Sequence, residues 1–250
     1  MIIAFICIVL IFNTMETISI HRPKIVVIGS CNTDMVVKAN RLPVPGETIL
    51  GGTFYMNPGG KEANQAIAAA RLGAEVTFIS KIGYDLFGLQ ALEIYRSEKI
   101  NTEYIFTDQK SPSGVALISV DSFGENSIIV APGASRSLSI EDINKAEEKI
   151  KEADIILMQL EIPIDTVEYA ATIACKYGKK VILNPAPASS LSNSFLMNVH
   201  TILPNRIEAE MLSGIKVMNI ESAHRAAQAI GEKGIENVVI TLGKDGALSL

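Results

Sequence analysis

From Lys24 onward the chain alternates between compact apolar runs and longer segments whose apolar residues recur at helical spacing. KIVVIG (24–29), EVTFISKIG (75–83), DIILMQL (154–160), KKVILNP (179–185), TILPN (201–205) and NVVITLG (237–243) have the continuous hydrophobicity of strands buried on both faces. Between the first two lies NPGGKEANQAIAAARL (57–72), in which Ala63, Ala66, Ile67 and Ala70 fall at i, i+3, i+4 and i+7. That spacing predicts an amphipathic helix with a flat buried side, able to pack close to a sheet. Gly59 and Gly60 stand at its start, where helical N–H groups lack partners, and they leave room for a polar or anionic group to approach. Further helices are predicted over 85–98, over 139–153 with Ser139 and Asp142 in capping-box spacing, over 163–178 between Pro163 and Gly178, after the strand at 179–185, from Ile207, and over 222–234.

Strands of this kind separated by helices make a parallel sheet covered on both faces, and such sheets bind ligands beyond the carboxyl ends of their strands. The rule selects residues 29–34, 159–161, 184–188, 204–208 and 241–246. Two stretches break the rhythm. TILGGTFYMN (48–57) and SGVALISVDSFGENSIIVAPG (113–133) carry strand and hairpin patterns with no helix between them, and predict a small second sheet lying across the site as a lid.

At 250 residues, 48% of them hydrophobic, the chain has enough apolar material for one large domain, and the formal charge of −5 favours a small ligand over nucleic acid or an anionic membrane. Cys7, Cys31 and Cys175 are too scattered for a metal site or a C-x-x-C motif, and read as thiols of a reducing, cytoplasmic setting. His21, His200 and His224 read as surface or boundary residues. The apolar run IIAFICIVLIF (2–12) has no preceding basic residue and no clear cleavage site. Residues 1–23 therefore read as an upstream extension outside the fold, with a membrane anchor as the alternative.

No G-x-x-x-x-G-K-[ST] loop and no G-x-G-x-x-G after a strand occurs, which argues against P-loop and dinucleotide sites. Taken singly, the remaining features have ordinary explanations. Asn32 and Asp34 suit a turn or cap, Glu161 suits a surface before Pro163, Asn205 suits an N-cap three residues before Glu208, and TLGKDG (241–246) suits a tight reversal. Their common placement at strand ends is what joins them.

Taken together, GSCNTDMVV, NPGGKEANQAIAAARLG, IGYDLFG, LMQLEIP, LNPAPA, LPNRIEAE and VVITLGKDG resemble the ribokinase-like (pfkB) carbohydrate kinases, with NTD, GGKxANQA and LMQLE pointing to the ribokinase branch. The resemblance runs from about Lys24 to Leu250. It implies a three-layer α/β/α sandwich with a mostly parallel central sheet and a discontinuous β lid drawn from about 34–57 and 111–133. It implies ATP-dependent phosphorylation of a sugar hydroxyl, with C5 of D-ribose first and deoxyribose, fructose or a nucleoside as sibling substrates; a non-catalytic sugar binder is the reading from another class. By resemblance, Asn32, Asp34, Gly60, Lys61, Asn64 and Glu161 would hold the sugar, Asn205, Thr241, Gly243, Lys244 and Gly246 would line ATP, and Glu208 would act on Mg²⁺ through water. A homodimer through the lid is also implied.

The family's G-A-G-D segment, which carries its catalytic aspartate, does not occur before Leu250. No catalytic base is therefore expected among these residues, nor the adenine pocket or the K⁺ loop, and the 250-residue chain is expected to show no ribose-dependent ATP hydrolysis by itself. Two positions depart from the pattern. Arg206 and Ile207 replace a usual Glu-Thr, and Glu62 stands where glycine is usual. As a charge in the first helical turn, Glu62 would favour the helix dipole by about 0.3–1 kcal/mol while crowding the sugar.

Overall fold

A computed structural model describes residues 22–250. The expectations for residues 1–21, including the apolar run, Cys7 and His21, fall outside the described residues. No described helix is long and apolar enough to cross a membrane.

The predicted rhythm gives an eight-stranded sheet in the order β12-β11-β10-β9-β8-β1-β4-β5. Its strands are β1 (Lys24–Ile28), β4 (Glu75–Gly83), β5 (Ile105–Asp108), β8 (Ile155–Met158), β9 (Lys180–Leu183), β10 (Thr201–Ile202), β11 (Asn237–Thr241) and β12 (Ala247–Ser249). All neighbours pair in parallel except β11 and β12. Alternate residues feed opposite cores. Val26, Ile28, Ile156 and Met158 join one cluster, and Val27, Ile155 and Leu157 join the other. The second cluster is closed by α1 (Lys61–Arg71) and α2 (Leu86–Ser97); Ala63, Ala66 and Ala69 bring α1 close to the strands. On the opposite face lie α3 (Ile140–Lys145), α4 (Glu147–Glu152), α5 (Ile164–Lys176), α6 (Asn193–Leu196), α7 (Arg206–Ser213) and α8 (Ile220–Gly231). The result is the α/β/α sandwich.

The second sheet has the order β3-β2-β6-β7, with β2 (Asn32–Lys38), β3 (Thr53–Gly59), β6 (Gly114–Val120) and β7 (Asn126–Ala131). Its root is fixed to the main body by Asp85, which caps α2 through Gly88 N at 2.9 Å and accepts from Ser113 N and Oγ, both at 2.7 Å.

Four local expectations need correction. Asn32 and Asp34 lie on a strand and not in a turn or cap: Asn32 pairs with Gly59 on one side and Gly114 on the other, Asp34 pairs with Asn57 and Ala116, and Gly59 leaves the room that the Asp34 side chain fills. The strand expected over 48–57 starts at Thr53, because Gly51 and Gly52 take φ of 98° and 112°, outside any strand geometry. The single helix expected over 139–153 breaks at Ala146 (φ −99°, ψ 5°), although the Ser139/Asp142 capping box forms. The short edge strand β5 was not expected.

Candidate active site

In the main sheet, β1 pairs with both β4 and β8, so successive connections run to opposite sides at the β1–β8 boundary. That is the topological switch point, where crevices open in sheets of this class. Ser30 follows β1 and Glu161 follows β8, and Ser30 Oγ lies 2.6 Å from Glu161 Oε2. Lys61, the first residue of α1, donates to Glu161 Oε1. Three elements thus meet through one carboxylate.

A cavity of about 560 Å³ opens here, lined by Ser30, Asn32, Lys61, Glu161, Arg136 and Pro187 among others, with Val130 of the second sheet and Pro132 just after it on one side. That volume suits a small organic ligand, for which roughly 300–1,000 Å³ is usual. A hollow at the opposite ends of the strands, beside Lys24 and Glu75, holds only about 10 Å³.

Asn32 lines this cavity and Asp34 lies near enough to feel the charges of Glu161 and Lys61, and neighbouring glycines make room for both side chains. Asn32 is paired with Gly59 and Gly114 across the sheet, and a Cβ at Gly114 would fall 2.1 Å from Asn32 Oδ1. A Cβ at Gly59 would fall 1.9 Å from Asp34 Oδ1. This alters the reading of the paired glycine. Gly59 admits the chain's own Asp34 and not an incoming group. At Gly60 (φ 94°) the open side faces Ser30 O and Oγ, with an added Cβ 3.0 and 3.1 Å away. Gly60, like Gly59, is therefore packed against the chain itself. Asn64 is half-buried in the first turn of α1, with its N–H on Gly60 O at 3.0 Å.

Glu62 overturns its expectation. It is wholly buried, turned from the cavity mouth into the space that Gly29 leaves, so burial and the neighbouring Glu161 push its carboxyl up to about 8. Raised in this way, it is mostly protonated at neutral pH and lends little charge to the helix dipole or against a phosphate. Burial also raises the Asp34 carboxyl, Glu161 adding to the rise and Lys61 opposing it.

The second group of residues gathers at the carboxyl ends of β10 and β11. Asn205 caps α7, its Oδ1 accepting from Ile207 N at 2.9 Å and Glu208 N at 3.0 Å, while Glu208 accepts from Asn205 N and Nδ2, both at 2.8 Å. Asn205 and Thr241 form a bridge between the strand ends. Arg206, one of the two departures in this motif, donates to Leu242 O at 3.2 Å and Asp245 Oδ2 at 2.8 Å, and so ties α7 to the TLGKDG turn. In that turn Gly243 and Gly246 take φ of 67° and 87° with open space beside them, and Lys244 is exposed. Burial raises the Glu208 carboxyl and the Lys61 ammonium opposes the rise, which puts the two groups within electrostatic reach of each other.

Among the described residues no cluster of three or more His, Cys, Asp or Glu could enclose a metal ion. A lone carboxylate such as Glu208, with its remaining lone pairs, fits magnesium held largely by water and phosphate oxygens, which is that ion's habit. Ser30 and Gln159 fall within the segments 29–34 and 159–161 that the strand-end rule selects but had been given no role, and Arg136 lies outside those segments; Gln159, just past β8, is 1% exposed with an unpartnered Oε1.

Comparison with known proteins adds the lineage. The family model described as "pfkB family carbohydrate kinase" matches residues 22–250. The chain is 46% identical over 225 residues to a ribokinase of Haemophilus influenzae, covering 90% of this chain and 74% of that one. It is 39% identical over 225 residues to a deoxyribokinase of Salmonella typhi, with the same coverage. A solved structure of Arabidopsis thaliana ribokinase complexed with ribose and ATP superposes with a TM-score of 0.80 at 30% identity, covering 92% of this chain and 75% of that one. The chain belongs to the pfkB family of carbohydrate kinases, enzymes that transfer a phosphoryl group to a sugar.

Proposed function

We propose that the chain serves the ATP-dependent phosphorylation of D-ribose at its C5 hydroxyl. The observation that carries this reading is the meeting of Ser30, Lys61 and Glu161 at the β1–β8 switch point, in a cavity bounded by the second sheet. Asn32, Asp34, Lys61, Asn64, Glu161 and the Gly60 backbone hold the sugar. Carboxylates accept from sugar hydroxyls in hydrogen bonds worth roughly 1.5–3 kcal/mol each, and an analogue lacking a hydroxyl leaves an acceptor unpaired. Thr241, Gly243, Lys244 and Gly246 line the nucleotide beside Asn205, and Glu208 holds magnesium through water. When bound, that ion neutralises phosphate charge, which together with in-line placement supplies most of the catalysis of phosphoryl transfer. The protein's own share is to orient the C5 hydroxyl towards the Asn205–Glu208 end and to exclude water beneath the second sheet.

Calorimetric titration with ribose, 2-deoxyribose, fructose and adenosine tests the sugar. We expect ribose to bind tightest; preference for 2-deoxyribose would move the assignment to the deoxyribokinase relative's substrate, and adenosine to a nucleoside. We also assign the outer face of the second sheet, where Phe54 is 59% and Ile129 69% exposed, to contact with a second copy. Sedimentation is expected to find a dimer that Ile129→Lys converts to monomer; a monomeric unmodified chain contradicts it.

A further inference from the structure

Ser30 stands between two carboxyls. Its Oγ is 2.9 Å from Glu62 Oε2 and 2.6 Å from Glu161 Oε2. A serine hydroxyl has one proton, so it donates to only one of them, and the other contact needs a proton on the carboxyl itself. Glu161 accepts from the Lys61 ammonium, an arrangement suited to a carboxylate. Glu62 makes no ion pair, since the Lys61 ammonium is bound to Glu161 and acts on it only at a distance; it is fully buried and leaves Oε1 without a partner. An ionised carboxylate there would be both desolvated and half unpaired, whereas a neutral acid in that place costs far less.

We infer that Glu62 is held as a neutral carboxylic acid that donates through Oε2 to Ser30, so that the Ser30 hydroxyl is committed to Glu161 and fixes the Glu161 carboxylate for the sugar. Glu62 is thus a positioning residue and touches no substrate. The proton order along the chain of contacts is Glu62 to Ser30 to Glu161, with Lys61 closing the far end. The titratable or charged groups that face Glu62 are Glu161 beyond β8, Lys61 on its own helix, and Cys31 between β1 and β2. Burial pushes the Cys31 thiol up to about 12, so it stays neutral beside Glu62. The Glu62 carboxyl, raised to about 8, keeps its proton below that pH and loses it above. Ionisation would place a second anion beside Ser30 and make it share its single proton. Sugar binding should therefore be strong below about pH 8 and weaken as pH rises through it.

The inference rests on the sugar reading for Glu161, and two measurements keep the two apart. The first is ribose affinity between about pH 6 and pH 9.5 by calorimetry. The unmodified chain is expected to lose roughly fivefold across the rise, the scale of one lost hydrogen bond. Glu62→Gln, whose amide donates to Ser30 at every pH, is expected to bind ribose as the unmodified chain does at low pH and to show no such loss. A residue with a merely packing role would shift affinity without changing the pH profile. The second is difference infrared spectroscopy of the unliganded chain, where a protonated-carboxyl carbonyl band should vanish on raising the pH and be missing from Glu62→Gln. If no sugar binds at any pH, the proposed function falls and the infrared band alone decides the proton. Should Glu62→Gln fail to fold, the unmodified chain's pH profile and band decide it. A flat ribose profile in the unmodified chain, or no such band, overturns the inference.

Discussion

Asp34→Asn is expected to weaken ribose binding at least about tenfold, roughly 1.4 kcal/mol, with no loss of thermal stability. The substitution keeps the side chain's shape, so the close contact with Gly59, where an added Cβ would fall 1.9 Å from Asp34 Oδ1, is preserved. What changes is the chemistry presented to the sugar. A carboxylate offers acceptors in every direction, while the amide turns one of its two heads into a donor, facing hydroxyls that had been donating. Burial already disfavours the Asp34 charge, so removing that charge does not cost the fold. Calorimetry with ribose and a parallel melting curve separate the two effects. Unchanged affinity would remove Asp34 from the sugar site, and a large drop in melting temperature would assign it a structural duty instead.

Gly29→Ala should cost the fold about 3 kcal/mol, the upper part of the usual range for overpacking a core. Gly29 sits at the end of β1 with its N–H on Ile79 O at 3.0 Å and its carbonyl accepting from Ser80 Oγ at 2.7 Å, so its backbone has no room to retreat. A methyl group there would fall 2.0 Å from Glu62 Cγ and 2.3 Å from its Cδ. For a chain of this size the melting temperature should fall by about 6–12 °C. Because the offending atoms belong to one side chain, Gly29→Ala combined with Glu62→Gly should recover much of the loss. A double-mutant cycle with no coupling would show that the two positions do not share the space.

Local pattern was enough for most of the main sheet. The continuous apolar run of β4 and the i, i+3, i+4 spacing of α1 each reflect contacts repeated along one element, and such periodicity survives in the sequence. β2 entered the expected lid from about residue 34 only through the resemblance and not through its own pattern, because Asn32, Thr33 and Asp34 carry turn chemistry at its start, and Gly59 and Gly114, which pair with Asn32, lie 27 and 82 positions further on. The break at Ala146 was hidden because good helix formers stand on both sides of it. Within the site, Asn205 and Glu208 were legible as a pair because their capping box is local. Glu62 was visible as a departure, but its fate was not. Whether a glutamate in a first turn is a solvated charge or a buried acid depends on Gly29, Ser30 and Glu161, which meet it only across the sheet.

The most direct test is a crystal structure of the chain with ribose. We expect the sugar in the cavity at the β1–β8 boundary, its hydroxyls within hydrogen-bond distance of Asn32, Asp34 and Glu161, and its C5 hydroxyl directed towards Asn205 and Glu208. Ribose bound elsewhere, or in that cavity with Asp34 and Glu161 turned away from it, would contradict the assignment.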